Sequence, residues 1–271
     1  MIFVRDKGRM CNNILQYGHL YAWARANNRK TVSMRFAYKY QYFHICRTRW
    51  HNFFVYLFAK YAAQLKLIPT VTFDTPDEDL TEKENAMRRG CLVAEGWFAR
   101  WYDLFLQYKP EILSLFAFDS HIENKVTSLL ETSSKEGIIR LGVHIRRGDY
   151  ATWNDGRFLY DDKQMINIIR QFILLHPNKR VVIYICGNDP KLNKQAYSEA
   201  FGQENVVFPQ GNPGDDLCLL SHCDYLIGPP STFTLVASMY RNTPLYWIKD
   251  INKPLQEDCF DYFDNLFRNI I

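Results

Sequence analysis

The sequence predicts two α/β domains, each built on a parallel sheet. Three observations predict it. From residue 138 onward, short apolar runs alternate with segments of helical period, the order of a parallel sheet covered on both faces. The first 34 residues follow the same order once, as a strand over 2–4, a helix over 13–27 and a strand over 31–34. A polar stretch at 131–137, ETSSKEG, separates the two parts. It sets the expected domains at 1–134 and 135–271.

Composition narrows the function classes. A chain of 271 residues fits two small domains, and 47% apolar content with 15% aromatic content excludes disorder for its bulk. The net charge, 33 − 29 = +4, is too weak to argue for nucleic acid and suits an anionic small-molecule substrate. Seven scattered cysteines include no C-x-x-C pair, so reduced thiols in a cytoplasmic protein are expected. No basic stretch followed by an apolar one opens the sequence, so no signal peptide is expected. The longest apolar run, 53–59, falls far short of the ~20 residues of a membrane span.

The remaining elements are read in order. Residues 49–67 form an aromatic helix, 74–89 a charged loop or short helix, and 92–94 a strand. In the second part, strands are expected at 138–145, 180–186, 205–208, 224–228 and 244–248. Helices are expected between them at 161–175, 190–201, 215–222 and 231–241. In such sheets ligands bind beyond the carboxyl ends of the strands.

Four segments at strand ends could carry chemistry. The first is His144-Ile145-Arg146-Arg147-Gly148-Asp149-Tyr150. Guanidinium forks match phosphate oxygens, His144 could line the same crevice, and Asp149 could orient one arginine. The same residues also suit a salt-bridge turn. The second is Gly228-Pro229-Pro230-Ser231-Thr232-Phe233-Thr234, where Ser231 is placed to cap a helix whose amino end suits a diphosphate. The third, from Gly8 through Asn12 to Gln16, lies between the first strand and the first helix and carries amides for phosphate or sugar hydroxyls. The fourth, Gly187-Asn188-Asp189-Pro190, offers a carboxylate to a purine edge, or a cap before Pro190. Neither G-x-G-x-x-G nor a Walker motif occurs. Asp77-Glu78-Asp79 matches a D-x-D metal pattern, but it sits in a charged polar segment and does not follow a buried strand. The histidines at 19, 44, 51, 121, 176 and 222 read as isolated. Residues 47–58 suit either a basic, aromatic helix on a membrane surface or a helix packed on its own domain.

Taken together, the segments resemble the bacterial α-1,2-fucosyltransferase family. The matching runs are Gly8 with Asn12-Asn13-Ile14-Leu15-Gln16-Tyr17, His144 to Tyr150, and Ser231-Thr232-Phe233-Thr234-Leu235-Val236-Ala237, in family order across nearly the whole chain. The resemblance implies a GT-B-like fold of two Rossmann-like domains facing across a cleft. It implies an acceptor-side domain at 1–134 and a GDP-sugar-binding domain at 135–271. It implies inverting fucosyl transfer from GDP-fucose to a glycan hydroxyl, α-1,2-linked, with no metal and no other cofactor, in bacterial surface-glycan synthesis. Arg146 and Arg147 would grip the diphosphate. Ser231, Thr232 and Phe233 would line the donor site, Asn12 would face it from the other domain, and Asp189 would contact guanine. Gln16, His144 and Asp149 complete the expected substrate-binding set, and Asp155 is the expected base for the acceptor hydroxyl. Cys11, Asn13 and Leu235-Val236 depart from the family pattern; these changes bear on acceptor and linkage. Another nucleotide sugar as donor, and a binding protein that has lost transfer, are the competing readings.

Overall fold

The computed structural model describes residues 1–76, 79–131, 137–187 and 189–269. The chain divides into two compact units, Met1–Asp119 and Ser120–Ile271. The boundary expected at 134/135 lies among residues 132–136, outside the described residues.

In unit 1 the elements are β1 (Ile2–Arg5), α1 (Met10–Ala26), β2 (Thr31–Ser33), α2 (Phe53–Gln64), β3 (Thr70–Thr72), α3 (Thr81–Arg89), β4 (Leu92–Glu95), α4 (Tyr102–Gln107) and α5 (Lys109–Leu115). The four strands pair in parallel in the order β2-β1-β4-β3. α1 is buried nearly all round, so it shows little of the one-sided pattern of a surface helix. α2 is shorter than its apolar pattern. Asn52 caps it by accepting from the Val55 amide at 3.1 Å. Just before the cap, His51 is held inside the unit, its Nε2 accepting from the Ser33 amide at 3.0 Å. β3, only three residues after Pro69, escapes a pattern-based reading.

Unit 2 opens with α6 (Ser120–Leu130) and continues with β5 (Ile138–Ile145), α7 (Asp162–Leu175), β6 (Arg180–Gly187), α8 (Lys194–Phe201), β7 (Val206–Val207), α9 (Pro213–Ser221), β8 (Tyr225–Gly228), α10 (Thr232–Arg241), β9 (Leu245–Trp247) and α11 (Phe263–Leu266). α6 joins this unit through α9, where Lys125 Nζ meets Asp215 Oδ2 at 2.6 Å. Caps define the helix starts. Asp161 and Gln164 form a capping box on α7, Asn212 and Asp215 another on α9 with Pro213 in its first turn, and Ser231 caps α10.

The five strands run parallel in the order β7-β6-β5-β8-β9. Leu141, Val143 and Ile145 of β5 face a core shared with Ile168, Ile169 and Phe172 of α7 and Ile183 and Ile185 of β6. The chain steps outward from β5 through β6 to β7, then returns to β8 on the other side of β5. The order therefore reverses between β5 and β8. Open α/β sheets bind ligands at such a reversal, outside the carboxyl ends of the strands.

Candidate functional site

The reversal point brings together the ends of β5 and β8. Gly228 permits this approach, since a Cβ there would meet the His144 carbonyl oxygen at 3.0 Å. Beyond β5 the chain turns through Arg146 to Tyr150. Beyond β8, Pro229 and Pro230 end the strand, and Ser231 starts α10.

Arg146 joins the two turns. Its Nε and Nη2 donate to the two oxygens of Asp149 at 3.2 and 2.7 Å, and its Nη1 donates to Ser231 Oγ at 3.1 Å. The guanidinium lies 4.7 Å from the centre of the Tyr150 ring. Tyr150 in turn donates its buried hydroxyl to the Pro230 carbonyl. Ser231 Oγ also accepts from the Phe233 amide at 3.1 Å. A fixed cation thus sits against the amino end of a ten-residue helix, an anion-favouring arrangement. Thr232 occupies the first helical position.

His144 lines the same place. Its ring stacks on Phe233, centroids 4.9 Å apart and planes 18° from parallel. Burial and the Arg146 charge lower its pKa to about 3, so the ring is neutral at physiological pH. Its buried Nδ1 has no hydrogen-bond partner among the described residues, an uncommon state for a buried polar atom.

Arg147 goes elsewhere. Its Nε donates to the Tyr160 carbonyl at 2.9 Å, its Nη1 to Asp189 Oδ2 at 3.1 Å and its Nη2 to Asp162 Oδ1 at 2.6 Å. Every nitrogen of this guanidinium meets a protein acceptor, as in Arg146, but the acceptors come from different elements. Burial opposes its charge, but Asp162 and Asp189 outweigh burial and hold its pKa above the usual arginine value. The structure therefore does not set Arg147 beside the partners of Arg146. Asp189 is likewise engaged, with Oδ1 accepting from the Lys191 amide at 2.9 Å; its neighbour Asn188 lies outside the described residues. Asp155 is exposed on the loop after Arg146, in left-handed backbone with φ 55°. No hydrogen bond or ion pair joins it to either arginine among the described residues.

The other expected residues belong to unit 1. Gln16 is buried and ties the β1–α1 loop to its helix: it accepts from the Lys7 amide at 3.1 Å and donates to the Lys7 and Asn12 carbonyls at 2.6 and 3.1 Å. Asn12 packs on Gly8, whose φ of +87° needs no side chain. Of the D-x-D match, Asp77 and Glu78 lie outside the described residues, and Asp79 accepts from the Thr81 amide and hydroxyl at 3.0 and 2.7 Å.

The fold also assembles groups that spacing did not reveal. Asp216, in the first turn of α9, lies beside the thiol of Cys186, the β6 residue in register with His144. Burial and the neighbouring Asp215 raise its pKa to about 6. Its sequence signal was the Asn212-Pro213 helix start after β7, which fixes the first turn of α9 at the carboxyl edge of the sheet. His222, expected to stand alone, lies with Glu123 and Cys218 where α6 packs on α9, its Nε2 3.3 Å from Glu123 Oε2.

No family model matches the chain. A mouse protein, galactoside 2-alpha-L-fucosyltransferase Sec1, is 22% identical over 266 residues, which cover 94% of this chain and 68% of that protein. Among solved structures, a mutant of Arabidopsis thaliana FUT1 in complex with GDP matches with a TM-score of 0.60 at 10% identity, over 96% of this chain and 73% of that one. NodZ α-1,6-fucosyltransferase of Bradyrhizobium, soaked with GDP-fucose, matches with a TM-score of 0.57 at 15% identity, over 96% and 98% of the two chains. POFUT1 in complex with GDP matches with a TM-score of 0.57 at 11% identity, over 89% and 94%. The two parallel-sheet units of this chain thus have the α/β fold of the GT-B fucosyltransferases.

Proposed function

We propose that this protein is an inverting glycosyltransferase that moves fucose from GDP-fucose to a hydroxyl of a glycan acceptor, in α-1,2 linkage and without a metal. The observation that carries the reading is Arg146, held by Asp149 and Ser231 at the topological reversal of the sheet. The fucosyltransferase relative and the fucosyltransferase folds that match support the chemistry, and the mouse protein's name supports the α-1,2 linkage.

In this reaction the acceptor oxygen bonds to C1 of fucose as the bond from C1 to the β-phosphate oxygen breaks. The bonding pair leaves with GDP, and the hydroxyl proton passes to a base or to water. Negative charge grows on the β-phosphate. In this reading Arg146, held by Asp149 and Ser231, and the amino end of α10 meet that charge with little reorganisation. One preorganised donor of this kind contributes about 3–4 kcal/mol. Asp155 is the proposed base, reaching the acceptor only if its exposed loop turns inward.

Isothermal titration of GDP, GDP-fucose and UDP, with and without EDTA, tests the reading. GDP should bind far more tightly than UDP, EDTA should change nothing, and Arg146→Ala should abolish most of the affinity. Equal binding of UDP would point to another nucleotide sugar, and no GDP binding would overturn the proposal.

We further propose that unit 1 rests on an anionic membrane surface through α2 and its flanks, which suits work on surface glycans at a cytoplasmic membrane face. No helix among the described residues is long and apolar enough to cross a membrane. Yet α2 buries only Ala59 and Ala62 and turns Phe54, Phe58, Tyr61 and Leu65 outward in one stripe, with Phe54 80% and Leu65 69% exposed. Between Asp6 and Asp74 the sequence has no acidic residue and eleven Lys or Arg. An apolar stripe within a purely cationic stretch is complementary to anionic lipid.

A further inference from the structure

A cavity lies at the sheet edge of unit 1. At the carboxyl ends of β1 and β2 an open cavity of about 300 Å³ is lined by Arg5, Asp6, Arg35, Tyr38, Tyr56 and Lys60, among others. Its volume is at the lower end for small-molecule sites, and its place is again where parallel sheets bind ligands.

The charges of this cavity do not cancel. Arg5 pairs with Glu95 at 3.1 Å. Arg35 donates to the Tyr38 hydroxyl at 2.8 Å and to the Asp6 backbone carbonyl at 3.1 Å, and Lys60 lies over the rings of Tyr56 and Tyr61. Neither Arg35 nor Lys60 has an ion pair with a carboxylate among the described residues. Asp6 is 2% exposed. Burial raises its pKa to about 8, so at neutral pH its carboxyl is largely uncharged and leaves both cations uncompensated. One oxygen, Oδ2, accepts from Ser33 Oγ at 2.5 Å; the other, Oδ1, is buried with no hydrogen-bond partner among the described residues. An unmet buried polar atom is costly and calls for a partner. The Tyr38 and Tyr56 rings, 4.4 Å apart, add an aromatic wall.

We propose that this cavity holds an anionic sugar, one bearing a phosphate or carboxylate, with Arg35 and Lys60 on the anion, the tyrosine wall against the sugar ring and Asp6 Oδ1 on a hydroxyl. That this sugar is the fucose acceptor rests on the transferase reading; that the site selects for negative charge does not. Two cations and a neutral acid would favour an anionic over a neutral sugar by charge-assisted hydrogen bonds, and an aromatic face beside them is of no use to a bare anion.

The test is a ligand-observed NMR titration of the full chain with N-acetylglucosamine, N-acetylglucosamine 1-phosphate, glucuronic acid and inorganic phosphate. The two anionic sugars should bind about tenfold more tightly than the neutral one, a difference of about 1.4 kcal/mol, and more tightly than inorganic phosphate. Lys60→Gln and Arg35→Gln should each remove most of that preference. Lys60 packs only on ring faces, so its variant should keep the melting temperature even if the Arg35 variant does not. Equal binding of neutral and anionic sugars, a preference surviving both substitutions, or phosphate binding as well as the sugar phosphate would overturn the inference. GDP titration on the same samples separates the two readings. Charge selection without GDP binding would keep the site and sink the transferase. GDP binding without charge selection would keep the transferase and give it a neutral acceptor.

Discussion

Arg146 and Arg147 are neighbours in sequence and differ in role. Arg146 meets one carboxylate and one hydroxyl at a helix start, whereas Arg147 meets a carbonyl and two carboxylates that it holds together. The two substitutions should therefore fail differently. Arg146→Ala should cost about 10²–10³ in turnover with little change in melting temperature, read by steady-state kinetics beside a thermal melt. Arg147→Ala should instead destabilise the fold, by about 3 kcal/mol, because Asp162 and Asp189 lose their counter-charge in a mostly buried network. A melt that is unchanged while GDP affinity collapses would reverse that assignment. The Arg-Arg pair and its strand end were legible in the sequence. Which partners each arginine takes was not, because Asp162, Asp189 and Ser231 come from elements 15, 42 and 85 residues away. Asp189 shows the same limit: its pairing with Arg147, 42 residues earlier in the chain, could not be read from the strand-end motif.

The helix α2 carries a lesson at the scale of an element. Its sequence is apolar at helical spacing, and such a pattern ordinarily marks the buried face. Here the fully buried Ala59 makes the close packing against the sheet, flanked by the half-buried Val55, Tyr56 and Ala63, while Phe53, Phe54, Phe58 and Tyr61 are exposed. Periodicity reveals that a stripe exists; residue size, not hydrophobicity, shows which side can approach a sheet closely. Phe54→Ser with Phe58→Ser should therefore leave the fold intact, since Phe54 is the most exposed large apolar residue among those described and Phe58 is 62% exposed, meeting the Phe3 ring edge-on. In sedimentation with vesicles of phosphatidylglycerol, the parent chain should pellet and the double variant should stay in solution. Neutral phosphatidylcholine vesicles should capture much less, and added salt should weaken capture as the Debye length shrinks. If light scattering instead finds a dimer that the double variant abolishes, the stripe is a protein interface. At the amino end of α10, Ser231→Ala removes both a cap and a partner of Arg146. It should cost about 1 kcal/mol of stability and also loosen GDP, whereas a plain capping serine would affect stability alone.

Across the whole molecule, the alternation of strands and helices was enough to foresee two parallel sheets, because strand runs of unit 2 are bounded by capped helices. The order of those strands was not legible, and with it the reversal between β5 and β8 that gathers His144, Arg146 and Ser231. Nor was the pattern of buried ionisable groups, which sets how stability depends on pH. His51 and His144 are held neutral by burial, with pKa lowered to about 4 and about 3, and His19 is lowered well below its usual value. Once unfolded, each would take up a proton near pH 6.5. Their stabilising contribution is complete above that pH and is lost as pH falls through the folded values. Asp6 and Asp216 act in the opposite sense. Burial raises them to about 8 and about 6, so each contributes stability that is complete below about pH 4 and lost as pH rises through its folded value. Between pH 4 and 6, three histidines oppose two carboxyls and the chain grows more stable with pH. Above 6.5 the histidines are spent, and Asp6 alone of these groups still holds a proton that the unfolded chain has released, a slope of about 1.4 kcal/mol per pH unit for one full proton. The melting temperature should therefore pass through a maximum near pH 6.5 and decline toward pH 8. The Met1 amine, lowered mainly by burial, leans the other way near pH 8, so the comparison that isolates Asp6 is with Asp6→Asn. That variant should keep the acid limb and lose the decline between pH 6.5 and 7.5, below the range where the thiols of Cys46, Cys186, Cys218 and Cys223, raised by burial, add a decline of their own; if both proteins decline in parallel over that interval, Asp6 is ionised in the folded chain and its cavity carries one cation's worth less positive charge than its burial implies.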